Sequence, residues 1–146
     1  MSSSTPDPVF RHPVRIYWED TDAGGIVFYG NYLKFMERAR TEWLAALGFG
    51  QEAMRASGEG MFVVAETALR YLQPARLDDR LVVTVRVLTR GRASITFDQA
   101  VWRDDTLLTT GEIRIGWVQK SADGQLRPGR IPPAILAAIP EPQAAP

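Results

Sequence analysis

Hydrophobic positions recur along this chain in two rhythms, and the change of rhythm near residue 60 outlines the fold. Between residues 31 and 47, Tyr32, Phe35, Met36, Ala39, Trp43, Leu44 and Leu47 fall mostly three or four apart, close to the spacing of one helical face. Arg38, Arg40, Thr41 and Glu42 lie between them, and Gly48 supplies a stop. A shorter helical piece over 51–56 leads into the break Gly58-Glu59-Gly60. After that break the period becomes two, the signature of strands. Phe62, Val64, Glu66, Ala68, Arg70 and Leu72 alternate with Val63, Ala65, Thr67, Leu69 and Tyr71. Leu81, Val83, Val85 and Val87 share one parity, as do Ile95, Phe97 and Val101, and then Gly111, Ile113, Ile115 and Trp117. Turn signals at Gln73-Pro74, Asp78-Asp79, Gly91 and Asp104-Asp105 separate the strands. Residues 14–18 read as a short first strand, and 132–139 as a closing helix.

One strand, one long helix and four long strands in succession predict an α+β fold, a five-stranded antiparallel sheet wrapped around a single long helix. One helix covers only part of such a sheet, so the remaining face and edges are expected to pair with another subunit. No linker, repeat or low-complexity tract interrupts residues 13–139, which are expected to form one domain. The Ser- and Pro-rich stretch 1–12 and the tail 140–146 are expected to be flexible arms.

Composition narrows the chemistry more than the fold. A formal net charge of zero provides no overall field to recruit nucleic acid or an acidic membrane. Cysteine is absent, which excludes disulfides, thiolate catalysis and cysteine-held zinc and fits a reducing cytoplasm. No apolar run approaches the ~18 residues of a membrane span, and the N-terminus lacks the pattern of a signal peptide. The reading is of a soluble cytoplasmic protein. The single histidine, His12, falls in the expected arm, so a Ser-His-Asp triad and a histidine-based metal site are not expected.

Carboxylates are thus left to do the acid-base work, and one segment concentrates them. Residues 19–32, EDTDAGGIVFYGNY, place Asp20, Asp22 and the Gly24-Gly25 pair just before the long helix. A helix start carries unpaired N–H groups and roughly half a positive charge, so it can polarise a carbonyl while a nearby carboxylate attacks it or activates water. Taken alone, the two aspartates read more readily as turn and cap residues, and it is their context that changes the balance. Val27, Phe28 and Tyr29 make the approach apolar, which strengthens electrostatic contacts there. A thioester suits so limited a set of groups, because its leaving thiolate, with a pKa of about 8.5 by analogy with cysteine, needs no strong acid. Arg90-Gly91-Arg92 reads as a solvated hairpin or as a holder of phosphates on a nucleotide-bearing substrate.

The run WEDTDAGGIVFYGNYLKFMERARTEWL, residues 18–44, resembles the signature of the hotdog-fold acyl-CoA thioesterases of the 4-hydroxybenzoyl-CoA thioesterase family. Within it the resemblance is to the branch called YbgC, associated with the Tol-Pal system. It implies a hotdog fold, homodimers or homotetramers, and active sites at subunit interfaces, with acyl-CoA as substrate and no metal or organic cofactor. The family's catalytic aspartate falls on Asp22, as nucleophile or as base for water. Its carbonyl-polarising helix amide falls on the backbone N–H of Tyr29. Gly25, Ile26 and Val27 fall at the substrate, and the basic residues that hold the CoA phosphates fall on Arg90 and Arg92. An acyl carrier protein is a further expected partner, and a non-catalytic module that binds acyl-CoA or an acyl carrier protein is the alternative to an enzyme.

Overall fold

The four period-two segments become β2 (Met61–Tyr71), β3 (Arg80–Arg90), β4 (Ser94–Arg103) and β5 (Thr106–Lys120) in the computed structural model, which describes residues 9–58 and 60–142. With β1 (Phe10–Arg15) they form an antiparallel sheet in the order β1-β3-β4-β5-β2, and a short β6 (Leu126–Pro128) pairs with the end of β5. The long helix α1 (Asn31–Ala46) lies against one sheet face with the shorter α2 (Gln51–Ala56) beside it, and α3 (Pro133–Ala138) is held at the end of β3 by Arg90. The expected α+β sheet around one helix is therefore present, with a sixth strand added. Leu126, Arg127 and Pro128 are all exposed and too few to show a period, which is why the sequence pattern did not announce them.

The alternating patterns point where expected. Leu81, Val83, Val85 and Val87 from β3 and Ile95, Phe97 and Val101 from β4 are buried against Phe35, Met36, Ala39 and Trp43 of α1. Trp43 meets Phe97 edge-on with ring centroids 5.1 Å apart. Gln99 also points into this core, completely buried between the two elements. Its Nε2 donates to the Met36 carbonyl at 3.0 Å and its Oε1 accepts from Arg40 Nη1 at 2.8 Å. Burial holds the Arg40 guanidinium pKa below its ordinary value, although Glu37 nearby opposes the shift.

Two boundaries differ from the pattern-based expectation. The first strand runs from Phe10 to Arg15 rather than over 14–18, so residues 10–12 of the expected arm are strand and His12 stands opposite Val83. Trp18 belongs instead to a single 3-10 turn, Trp18–Asp20, which the Asp20 carboxylate closes by accepting Tyr17 N–H at 2.8 Å. Residues 1–8 and 143–146 of the two expected arms lie outside the described residues. The second difference is a register shift in β2 between Val64 and Glu66. The bulge exchanges the two faces: Phe62 and Val64 stand opposite the core-facing Trp117 and Ile115, but beyond it Thr67, Leu69 and Tyr71 take over the positions opposite Ile113, Gly111 and Thr109. Glu66 and Arg70 consequently face the far side, where Glu66 lies 3.7 Å from Arg114 in an exposed pair.

Candidate active site

Asp20 builds the frame of the site. Besides closing the 3-10 turn, its carbonyl accepts Phe28 N–H at 3.0 Å and Asn31 Nδ2–H at 2.9 Å, tying the start of α1 back to the turn. Between those ends the chain forms a tight hairpin. Thr21 bridges Val27, Asp22 N–H donates to the Ile26 carbonyl at 2.8 Å, and Gly25 N–H donates to the Asp22 carbonyl at 3.0 Å. Gly25 adopts a φ of +80°, a left-handed conformation that a side chain would strain. The hairpin is fastened to the segment before β3, through Val27 N–H to the Ala75 carbonyl at 2.9 Å and a bridge from Ile26 to Arg76. Asp79 braces that segment by accepting Arg76 N–H at 2.8 Å and Arg103 Nη1 at 2.9 Å.

Asp22 is held quite differently from Asp20. It is exposed, its Oδ1 accepts one N–H, that of Gly24 at 2.8 Å, and its Oδ2 has no partner among the described residues. Asp22 stands opposite Ile26, and Tyr29 follows three residues along, roughly 10 Å of extended backbone. The chain enters α1 through a turn in which Asn31 N–H donates to the Phe28 carbonyl at 2.9 Å. The N–H groups of Tyr29 and Gly30 find no acceptor among the described residues. No acidic side chain occupies the first turn of α1, so its partial positive charge is left open.

Aromatic rings surround this helix start. Phe28 and Tyr29 have centroids 4.8 Å apart, Tyr71 of β2 approaches Tyr29 edge-on at 6.2 Å, and Tyr32 lies 5.6 Å from Tyr71. The Tyr32 hydroxyl accepts Ala75 N–H at 3.1 Å, and burial raises its pKa above the ordinary tyrosine value, keeping the phenol neutral. Asn31 and Tyr32 thus fix where α1 begins. The sequence pattern assigned both only to the helix, although an asparagine at a helix start beside an acidic turn is a signal that could have marked one of them.

The other expected site residues divide. Gly25 and Ile26 form the hairpin tip beside Asp22, but Val27 is 3% exposed and its side chain belongs to the core rather than to a substrate surface. Arg90 and Arg92 lie at the far end of β3, whose eleven residues separate them from the hairpin by roughly 30 Å. Arg90 is engaged there. Its Nη1 donates to the carbonyls of Leu136 and Ile139, at 3.2 and 2.7 Å, and its Nη2 meets Glu141 at 2.7 Å, so it caps α3. Arg92 is exposed, and its guanidinium has no partner among the described residues. An open cleft of about 890 Å³, lined by residues 15–19 with Leu77 and Asp78, borders the hairpin but includes neither Asp22 nor Tyr29. Among the described residues, no group of three or more His, Asp and Glu is placed to hold a metal ion.

Comparison with known proteins adds a lineage to this geometry. A family model described as the thioesterase superfamily matches residues 24–110. The chain is similar to the acyl-CoA thioesterase YbgC of Haemophilus influenzae, with 39% identity over 133 residues that cover 91% of this chain and 96% of the relative. Among solved structures it is similar to a probable thioesterase from Bartonella henselae, with a TM-score of 0.76 and 29% identity over 85% of this chain and 99% of that one. The fold is also that of 4-hydroxybenzoyl CoA thioesterase from Pseudomonas sp. strain CBS-3, with a TM-score of 0.80 at 18% identity over 90% of this chain and 99% of that one.

Proposed function

Because this chain belongs to the thioesterase superfamily and is an acyl-CoA thioesterase, we propose that Asp22 and the free Tyr29 N–H together carry out the hydrolysis. The thioester carbonyl oxygen accepts the Tyr29 N–H at the positive end of α1, which draws electrons from the carbonyl carbon. The Asp22 carboxylate then acts on that carbon by one of two routes. As a nucleophile it adds to the carbon and expels CoA as thiolate, leaving a mixed anhydride that water cleaves to the free acid and regenerated Asp22. As a base it takes a proton from water, whose hydroxide adds and expels the same thiolate. In either route a backbone donor contributes about 3 kcal/mol to the oxyanion.

The observation that carries this reading is the contrast between two aspartates two residues apart. Asp20 is occupied with the turn through its side chain and carbonyl, whereas Asp22, in the same hairpin, keeps an unpartnered oxygen, and the N–H groups of Tyr29 and Gly30 just before α1 are unmatched among the described residues. Free-thiol release from short, medium and long aliphatic and aromatic acyl-CoAs tests it. Turnover of at least one class is expected; saturable binding with no thiol release across the panel would instead favour a non-catalytic acyl-binding module.

The CoA phosphates are assigned to Arg92 rather than Arg90, and to Arg92 of another copy. The two ends of one sheet lie too far apart for an extended pantetheine arm to join them, and Arg90 already holds α3. Arg92→Ala is expected to raise KM several-fold with kcat unchanged, because a guanidinium–phosphate ion pair forms on binding and plays no part in the chemical step. Arg90→Ala should leave KM alone and lower the melting temperature, because the carbonyls ending α3 lose their donor. An effect of Arg90→Ala on KM larger than that of Arg92→Ala would reverse the assignment.

A homodimer, or a homotetramer built from it, supplies the second copy. Among the described residues β2 pairs with β5 on one side only, and Val64 and Tyr71 along it, with Leu72 just past its end, are about half exposed, as are Phe28 and Tyr29 before the helix start. Sedimentation equilibrium is expected to give twice or four times the chain mass; a monomer at micromolar concentration would count against a shared site.

A further inference from the structure

The β2 bulge brings a residue to the site that alternation alone would have pointed away from it. Past the register shift Tyr71 stands opposite Thr109, on the side of α1, and its hydroxyl donates to the Tyr29 carbonyl at 3.1 Å. That carbonyl belongs to the same peptide plane as the Gly30 N–H. In a trans peptide the C=O and N–H point in opposite directions, so anchoring one fixes the aim of the other. The anchored carbonyl faces β2, and the Gly30 N–H is therefore directed away from β2, with no acceptor among the described residues. A hydrogen bond to the carbonyl also polarises the amide and makes its N–H a stronger donor.

We propose that Tyr71 is a positioning residue for the oxyanion site: by holding the Tyr29 carbonyl it presents the Gly30 N–H as a second donor beside that of Tyr29. The inference rests on the reading of the α1 start as the place where the thioester carbonyl is polarised. The hydroxyl is itself well placed for the task. The Tyr71 ring packs on Tyr29 and on Tyr32, and Tyr32 is fixed through its own hydroxyl to Ala75. Burial pushes the Tyr71 pKa above the ordinary tyrosine value, so the donor persists through neutral and mildly alkaline pH. Gly30 suits its neighbour as well as its role, since a Cβ there would come within 2.9 Å of Phe28 Cε2 and displace that ring from the helix start.

The test is Tyr71→Phe, which removes one oxygen and keeps the ring. It is expected to lower kcat about tenfold, equivalent to ~1.4 kcal/mol, with KM and the melting temperature unchanged. A second readout separates positioning from loss of packing: the carbonyl stretch of an acyl-CoA bound to the inactive Asp22→Asn variant, followed by infrared difference spectroscopy. Adding Tyr71→Phe to that variant should lessen the red shift of the bound carbonyl. Wild-type kcat in Tyr71→Phe, or a fall in kcat with no change in the carbonyl band, would overturn the role of Tyr71. If Asp22→Asn itself turned over at the wild-type rate, the underlying site assignment would fall instead, so the two failures are distinguishable.

Discussion

Replacing Asp22 with asparagine is expected to lower kcat by about a thousandfold or more while leaving the melting temperature within a degree or so of wild type, the loss typical of removing a nucleophile or base from a site whose other groups remain. The reason lies in how the residue is held. Its Oδ1 accepts the Gly24 N–H, a bond that an asparagine carbonyl oxygen reproduces, and its other oxygen supports nothing in the fold. Asp20→Asn is the informative contrast. There both the carboxylate and the carbonyl anchor the turn and the helix start, so its effect should appear in stability as well as in rate. Asp22→Glu adds a methylene and shifts the carboxylate by more than 1 Å, enough to cost on the order of 10²-fold while keeping the charge. Steady-state thiol release and thermal unfolding, measured on the same preparations, check all three. An Asp22→Asn variant retaining more than a tenth of wild-type kcat would contradict the assignment.

The largest expected effect on stability comes from a residue remote from the chemistry. Gln99→Leu should cost ~2 kcal/mol, because it leaves the partly buried Arg40 guanidinium and the buried Met36 carbonyl without this partner while changing side-chain volume little. Arg40→Met in the same chain should recover part of that loss by removing the guanidinium donor that Gln99 no longer satisfies. The double variant is therefore expected to be more stable than Gln99→Leu alone, and denaturant unfolding measures both. If the two losses simply added, Arg40 and Gln99 would not be acting as a pair. The pair also bears on function, since it fixes α1 to β4 in mid-helix and so contributes to where the helix start meets the hairpin.

The periodic parts of this architecture were readable from residues alone for a physical reason. Burial on one face imposes a rhythm, as in Leu81, Val83, Val85 and Val87, and the long apolar stripe of α1 does the same. Departures from rhythm were not readable. The bulge in β2 leaves Ala65 and Glu66 looking like any alternating pair, yet it decides that Tyr71 rather than Arg70 faces the helix. Gln99 occupies a parity position of β4 but is polar, and only its partners in α1 explain why it is buried there. At the site, the resemblance already put the catalytic role on Asp22, whereas the bonds by which Asp20 holds Tyr17, Phe28 and Asn31 are ones that no spacing encodes. Arg90 and Arg92 looked alike in sequence, and the three-dimensional position of α3 separates them.

The most direct measurement is a crystal structure of the Asp22→Asn variant with an uncleaved acyl-CoA bound. The account predicts the thioester carbonyl oxygen about 3 Å from the Tyr29 backbone nitrogen, with the carbonyl carbon facing the side chain at position 22. A carbonyl bound away from the start of α1, with position 22 out of reach of its carbon, would contradict it.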